Sequence, residues 1–185
     1  REKAVEVALE SYAGRKNQIA ELEEEAVFVQ VFPQRDQLLI IGAGHITIPL
    51  VQFAHPLGFE TSVIDPRRVF ASSERFEVAP HRLFSQWPGE VLSGLDLTDD
   101  TYAILLTHDP KIDDEALRVL LKTPVAYIGA LGSRKTHAKR VERLREAGFS
   151  TAEIKRIKGP AGLDIRAKAP AEIALSIMAE IVAAK

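Results

Sequence analysis

The sequence predicts a doubly wound α/β fold, a mostly parallel sheet between two layers of helices, with a short helical extension at its N-terminus. Three observations predict it. From Asp36 onward, short apolar runs alternate with helical segments, which is the pattern of βαβ units. The runs are continuous rather than alternating, as strands buried on both faces require. Between the first run and its helix stands Gly42-Ala43-Gly44-His45, and an acid, Asp65, closes the next strand. That combination is the mark of a Rossmann-like phosphate loop.

Taken in order, residues 1–25 read as a polar helix with Val5, Ala8 and Leu9 on one face and an acidic cluster at Glu21, Glu23, Glu24 and Glu25. Ala26–Phe32 is β-rich and stopped by Pro33, an edge strand or a lead-in. This divides the chain into an extension, 1–33, and a nucleotide- or cofactor-binding domain, 34–185. Gln37–Ile41 is the first buried strand. Ile46–Ala54 is a helix whose Pro49 belongs in the first turn, so it starts a few residues past Gly44. Thr61–Asp65 is the second strand, and a looser stretch to Gly94 holds a short strand near Arg82–Ser85. Thr101–Leu106 is another buried strand, followed by a helix that Asp113 can cap. Pro124–Gly129 is the next strand, and Gly132-Ser133 opens a basic helix closed at Gly148. Ser150 and Glu153 form a capping box. A last helix starts near Pro170 and buries Ile173, Ile177 and Ile181.

Composition narrows the function. The 185 residues carry a net charge of -2, with 46% hydrophobic and 27% charged residues, a globular balance without the basic excess of a nucleic-acid binder. No apolar run approaches the roughly 20 residues of a membrane span. The chain opens on Arg1-Glu2-Lys3 with no signal-peptide core, so it reads as processed or cut from something longer, and a cytoplasmic location is expected. There is no cysteine, so no persulfide, metal thiolate or disulfide can come from this chain. No zinc-type cluster, nucleophile elbow or P-loop is present, and neither catalytic nor metal-ligating residues are assigned.

The residues that can hold a ligand cluster at predicted strand ends. Gly42 permits a tight turn, Gly44 lets backbone approach a diphosphate, and the free N–H groups of the following helix hold the anion. The third position of the fingerprint is Thr47, not Gly or Ala. His45 lies within the loop. Asp65 would pair with a sugar hydroxyl or another ligand edge group, or simply turn the chain into Pro66; Arg67 would accept an extra phosphate or be solvated. His108 and Asp109 end a strand and would do acid/base work, with turn or capping duty as the other role for Asp109. Gly129-Ala130-Leu131-Gly132-Ser133-Arg134 offers a second glycine-rich loop, with an N-cap serine and an arginine at one helix start. It is either a second anion site or an ordinary turn before a solvated basic face of Lys135, Lys139, Arg140 and Arg143. His55 and His81 read as surface residues.

Over roughly residues 27–184 the sequence resembles the C-terminal Rossmann domain of the xanthine dehydrogenase accessory factor family, of the XdhC/CoxI type. The matching pieces are Leu38–His45, Val63–Arg67, Leu106–Asp109, Tyr127–Arg134, Gly159–Ile165 and Pro170–Ala174. The resemblance implies an accessory protein, not an enzyme, that binds a molybdopterin-type molybdenum cofactor and delivers it to a xanthine dehydrogenase-type molybdenum hydroxylase. It places the cofactor on Gly42, Gly44 and His45, with a polar rim of Asp65, Arg67, His108, Asp109, Gly132, Ser133, Arg134 and Asp164. It implies a cysteine desulfurase as a second partner; a homodimer is a further expectation, and neither nucleic acid nor membrane is. Family members carry a separate N-terminal domain with a Gly-Gly-Cys type motif that this chain lacks, so the extension reads as a remnant of that half. An NAD(P)-dependent oxidoreductase with His108 as acid/base is the alternative.

Overall fold

The computed structural model describes residues 2–14, 16–22, 25–32 and 35–185. Of the expectations above, those for Glu23, Glu24 and Pro33 lie outside the described residues. The chain forms two compact units, residues 1–35 and 36–185.

In the first unit, the helix expected over 1–25 is half that length. It runs as α1, Glu2–Ala13, and stops before Gly14, which has no side chain to keep a helix going. The remainder is a β-hairpin: β1, Gln18–Leu22, pairs antiparallel with β2, Glu25–Val29, with Ile19 opposite Phe28 and Ala20 opposite Val27. Val5 and Leu9, the expected apolar face of α1, are exposed. What ties α1 to the hairpin is polar. The Gln18 Nε2 amide donates to Ser11 Oγ at 2.6 Å and to the Val7 carbonyl at 3.2 Å.

The second unit is a six-stranded, all-parallel sheet. Its strands are β3 (Gln37–Ile41), β4 (Glu60–Ile64), β5 (Arg82–Phe84), β6 (Thr101–Leu105), β7 (Tyr127–Ala130) and β8 (Ile157–Lys158). The spatial order is β5-β4-β3-β6-β7-β8, which counted from β3 is the 3-2-1-4-5-6 of the doubly wound fold. The order reverses at β3, which pairs with β4 on one side and β6 on the other.

Alternate residues of the buried strands feed two separate cores. Leu38, Ile40, Val63, Tyr102, Ile104 and Tyr127 point to the face covered by α2 (Thr47–Ala54) and α7 (Pro170–Ala183), whose Leu50, Val51, Ile177 and Ile181 complete that core. Leu39, Ile41, Ile64, Ala103, Leu105 and Ile128 point to the other face. There they meet α3 (Pro88–Leu92), α4 (Pro110–Leu120), α5 (Arg134–Glu146) and α6 (Thr151–Ile154). This two-sided burial is why the strands read as continuous apolar runs. Alongside β8, α3 and a 3-10 turn at Ser73–Arg75 are elements that the sequence pattern did not announce. Each is five residues or shorter, too brief for a period to show.

Helix ends follow local chemistry, with one correction. Pro110 at N1 fixes the start of α4, so Asp109 is the cap and accepts from the Lys111 amide at 2.9 Å. Asp113, expected as the cap, lies one turn inside α4 and is buried. Ser133 caps α5 through the Thr136 amide, Gly148 follows α5 at φ +89°, and the Ser150–Glu153 capping box is present.

Candidate functional site at the topological switch point

At the strand-order reversal β3 and β6 stay paired to their last residues, and the chain leaves them for opposite faces of the sheet, into α2 and α4, which sets the crevice where open α/β sheets take ligands. The loop after β3 forms one wall. Gly42 sits at φ +102°, and a Cβ there would lie 2.6 Å from Thr107 Cγ2 at the end of β6, so only glycine fits. Gly44 differs: its φ is ordinary and no protein atom lies within 4 Å of where its Cβ would be. Nothing inside the chain asks for glycine at that position; the space above it is open. Thr47, the departure from the glycine fingerprint, is buried and donates its hydroxyl to the Gly42 carbonyl at 2.6 Å. It therefore braces the loop from the position where the fingerprint has a glycine or alanine. No side chain caps α2, and its first turn holds no acid, so the positive end of its dipole is not compensated from within.

A second layer holds that loop from behind. Asp65 is fully buried, and its two oxygens accept four hydrogen bonds. Oδ2 takes the Ala43 amide at 2.8 Å and Arg67 Nη2 at 2.8 Å; Oδ1 takes the Arg67 amide at 3.0 Å and Arg67 Nε at 2.9 Å. Burial pushes the carboxyl up, but the Arg67 side chain, the two amides and the guanidinium charge outweigh it, and its pKa lies below the ordinary aspartate value. Arg67 stacks over Phe70 at 4.5 Å, and Arg75 lies over the same ring and donates to the Ala43 carbonyl. With four bonds in place, Asp65 has no lone pair left for a sugar hydroxyl.

The opposite wall comes from β6 and α4. His108 is exposed at the end of β6, as His45 is on the first loop. Beneath it, Thr107 Oγ1 donates to Asp113 Oδ1 at 2.5 Å, and Arg140 Nη2 donates to Asp113 Oδ2 and to the Leu131 carbonyl, each at 3.1 Å. Burial dominates for Asp113 and raises its pKa above the ordinary value despite Thr107 and Arg140. Arg140 is a correction to the expected solvated basic face, because its side chain is 2% exposed. Arg143 leaves that face too, donating from Nε and Nη2 to Asp114 at 2.5 and 2.8 Å. Arg134, Lys135 and Lys139 stay exposed.

The expected rim residues do not form one ring. Arg134 and Asp164 line a separate cavity of about 460 Å³ with Leu131, Pro160, Ile165 and Ile173, on the far side of the β7–α5 turn. Gly132, at φ +135°, and Ser133 make that turn, and the Ser133 hydroxyl is committed to capping. Gly162, which lines the cavity, donates its amide to Glu180 Oε2 at 2.9 Å, and the same oxygen accepts from Tyr127 Oη at 2.5 Å; burial and that carboxylate push the Tyr127 hydroxyl up. A cavity of about 450 Å³ at Arg118, Lys122, Phe149 and Glu153 lies at the far ends of α4 and α5, away from the strand carboxyl ends. His55 and His81, read as surface residues, pack against each other with ring centroids 4.7 Å apart, and the Thr61 amide donates to His81 Nδ1 at 3.1 Å. Among the described residues no His/Asp/Glu group is arranged to hold a metal ion, and no helix is long and apolar enough to cross a membrane.

Comparison with known proteins agrees with this architecture. Residues 38–181 match the family described as the XdhC Rossmann domain. The chain is 35% identical over 160 residues to the uncharacterized protein YqeB of Escherichia coli (strain K12), covering 86% of this chain and 29% of that one. It is 31% identical over 156 residues to a probable subunit of xanthine dehydrogenase from Bacillus subtilis (strain 168), covering 84% and 45%. It is 33% identical over 103 residues to the molybdenum cofactor insertion chaperone PaoD of Escherichia coli (strain K12), covering 56% and 32%. The crystal structure of a xanthine dehydrogenase from Bacillus halodurans superposes with a TM-score of 0.71 at 29% identity, covering 89% of this chain and 47% of that one. The chain spans less than half the length of each of these relatives.

Proposed function

The chain belongs to the XdhC family, and on that premise we propose that it binds a molybdopterin-type molybdenum cofactor and hands it to a xanthine dehydrogenase-type molybdenum hydroxylase. The observation that carries the reading is the open space over Gly44, set at the strand-order reversal and before a helix that no side chain caps. A phosphate-bearing ligand fits both: its phosphate would accept from the amides at the start of α2 while Gly42 and Thr47 keep the loop rigid. The pterin would extend across the mouth toward His108 and the Ser133 turn, with Arg134 and Asp164 beyond it. With no cysteine in its sequence, the chain would offer the cofactor's molybdenum no thiolate ligand of its own. The relative described as a molybdenum cofactor insertion chaperone supports the same reading.

The oxidoreductase alternative needs an acid free to take the hydroxyls of a nicotinamide nucleotide's ribose. Asp65 is spent on Ala43 and Arg67, so no observation favours it. Native mass spectrometry of protein purified from a molybdate-fed host tests the choice. The cofactor mass should travel with the wild type and be lost in Gly44→Val, whose branched side chain fills the open space. Thermal melts give the second arm. NADH or NADPH at 100 times a dissociation constant would stabilise the chain by about 2.7 kcal/mol; a gain of that kind with no effect of molybdopterin overturns the proposal.

A further inference from the structure

One cavity carries charge that the reading above leaves unused. It lies between the start of α4 and the first two turns of α5, measures about 350 Å³, and is lined by Thr107, His108, Lys135, Thr136, Lys139 and Arg140 among others. Arg140 is its buried cation. A guanidinium brings five donors into the protein, and buried donors are nearly always matched. Here Nη2 alone serves both acceptors, Asp113 and Leu131, while Nε and Nη1 have no partner. Asp113 offsets the Arg140 charge and Asp114 offsets Arg143. Lys135 and Lys139 have no carboxylate partner among the described residues, so the cavity keeps an excess of positive charge. The N-terminus of the thirteen-residue α5 opens beside it.

We propose that this cavity is an oxyanion site that takes a phosphate group, separate from the Gly42–His45 loop and independent of whether that loop holds a pterin. A tetrahedral anion of nearly two charges matches the donor set: the free Arg140 nitrogens, two lysine ammonium groups and the Thr136 hydroxyl. The phosphate is either free in solution or borne by an arm of the ligand seated on the first loop.

Inorganic phosphate is the probe, titrated into ¹⁵N-labelled protein at constant ionic strength while the Arg140 side-chain Nε–H resonance is followed. That resonance should shift saturably. The double variant Lys135→Gln/Lys139→Gln, made at two exposed positions that leave the buried pair intact, should weaken binding by about tenfold or more. Gly44→Val should not change it. ADP then separates the two sources. A ligand spanning both sites loses affinity in Gly44→Val and in the lysine double variant alike, and competes with phosphate; a free-oxyanion site lets phosphate and ADP bind together. Absence of a saturable shift up to about 50 mM phosphate, or a shift the lysine substitutions leave unchanged, overturns the proposal. Because the readout is at Arg140 and not at the first loop, its failure leaves the cofactor reading standing, and the reverse also holds.

Discussion

Asp65 and Asp113 are both buried carboxylates near the carboxyl edge of the sheet, each bound to one arginine, and burial wins at only one of them. At Asp65, two backbone amides and two guanidinium nitrogens converge, and the pKa falls. At Asp113, one hydroxyl and one guanidinium nitrogen are all that arrive, and the pKa rises. The arginines differ as well: the Arg67 side chain is 42% exposed, whereas that of Arg140 is 2% exposed and meets only a cavity wall. An ion pair therefore holds its charge through the number of donors brought to it, not through the pairing alone. The Asp65 pair is a finished brace for the Gly42–His45 loop. The Asp113 pair is under-supplied, and its arginine keeps donors to spare.

The largest effect that can test this contrast is Asp113→Ala, which strands a buried guanidinium and should cost about 3–5 kcal/mol in urea unfolding. The double variant Asp113→Leu/Arg140→Met should recover most of that loss; a double variant as unstable as the single one would mean that the pair itself, not the stranded charge, supplies the stability. Asp65→Asn should cost about 1–3 kcal/mol, less than Asp113→Ala, because Arg67 can turn its freed donors to water. The reverse order would undo the comparison.

Stability against pH sharpens it, because the signs are opposite. The folded pKa of Asp65 is lowered, so its contribution is present above the ordinary aspartate range and is lost as pH falls through the folded value. The folded pKa of Asp113 is raised, so it favours the folded state at low pH, and this advantage drains as pH rises from the ordinary value through the folded one. In denaturation midpoints measured across that range, Asp65→Asn should flatten the acid limb, and Asp113→Ala should remove a decline just above it.

The two glycines give a smaller contrast. Gly42→Ala, at a positive φ and against Thr107, should cost about 1–3 kcal/mol, while Gly44→Ala should stay within about 0.5 kcal/mol of wild type. The smallest effect belongs to Arg143→Gln, whose partly exposed bond to Asp114 is worth about 0.2–1 kcal/mol.

Much of the second unit was legible because its strands are buried on both faces and declare themselves as apolar runs. Gln37–Ile41 is the observed β3, and the turn at Gly42 follows it directly. In the first unit the β-rich Ala26–Phe32 announced β2, but β1 was hidden because Glu21 and its acidic neighbours read as a continuing polar helix, and Gly14 was the one signal of the break. The Asp113–Arg140 pair was hidden by composition. In a helix so rich in charge, one arginine turning inward leaves no trace in a count. A trace does exist in spacing: His137, Arg140, Val141 and Leu144 share one stripe of α5, and Asp113 shares a stripe of α4 with Ala116, Leu117 and Leu120. A charge within each of two apolar stripes was the available hint of a buried pair. The saturation of Asp65 was not legible, since an Asp-Pro-Arg turn looks the same whether the arginine folds back or reaches out.

The two outermost strands of the sheet have a bearing on how this protein behaves at high concentration. β5 is three residues long and β8 only two, so each border of the sheet exposes very few backbone groups to a passing chain. A border that short gives a foreign strand almost nothing to pair with, which is how natural sheets resist edge-to-edge aggregation. The domain should therefore tolerate crowding and fusion to other domains without recruiting their strands into its own sheet.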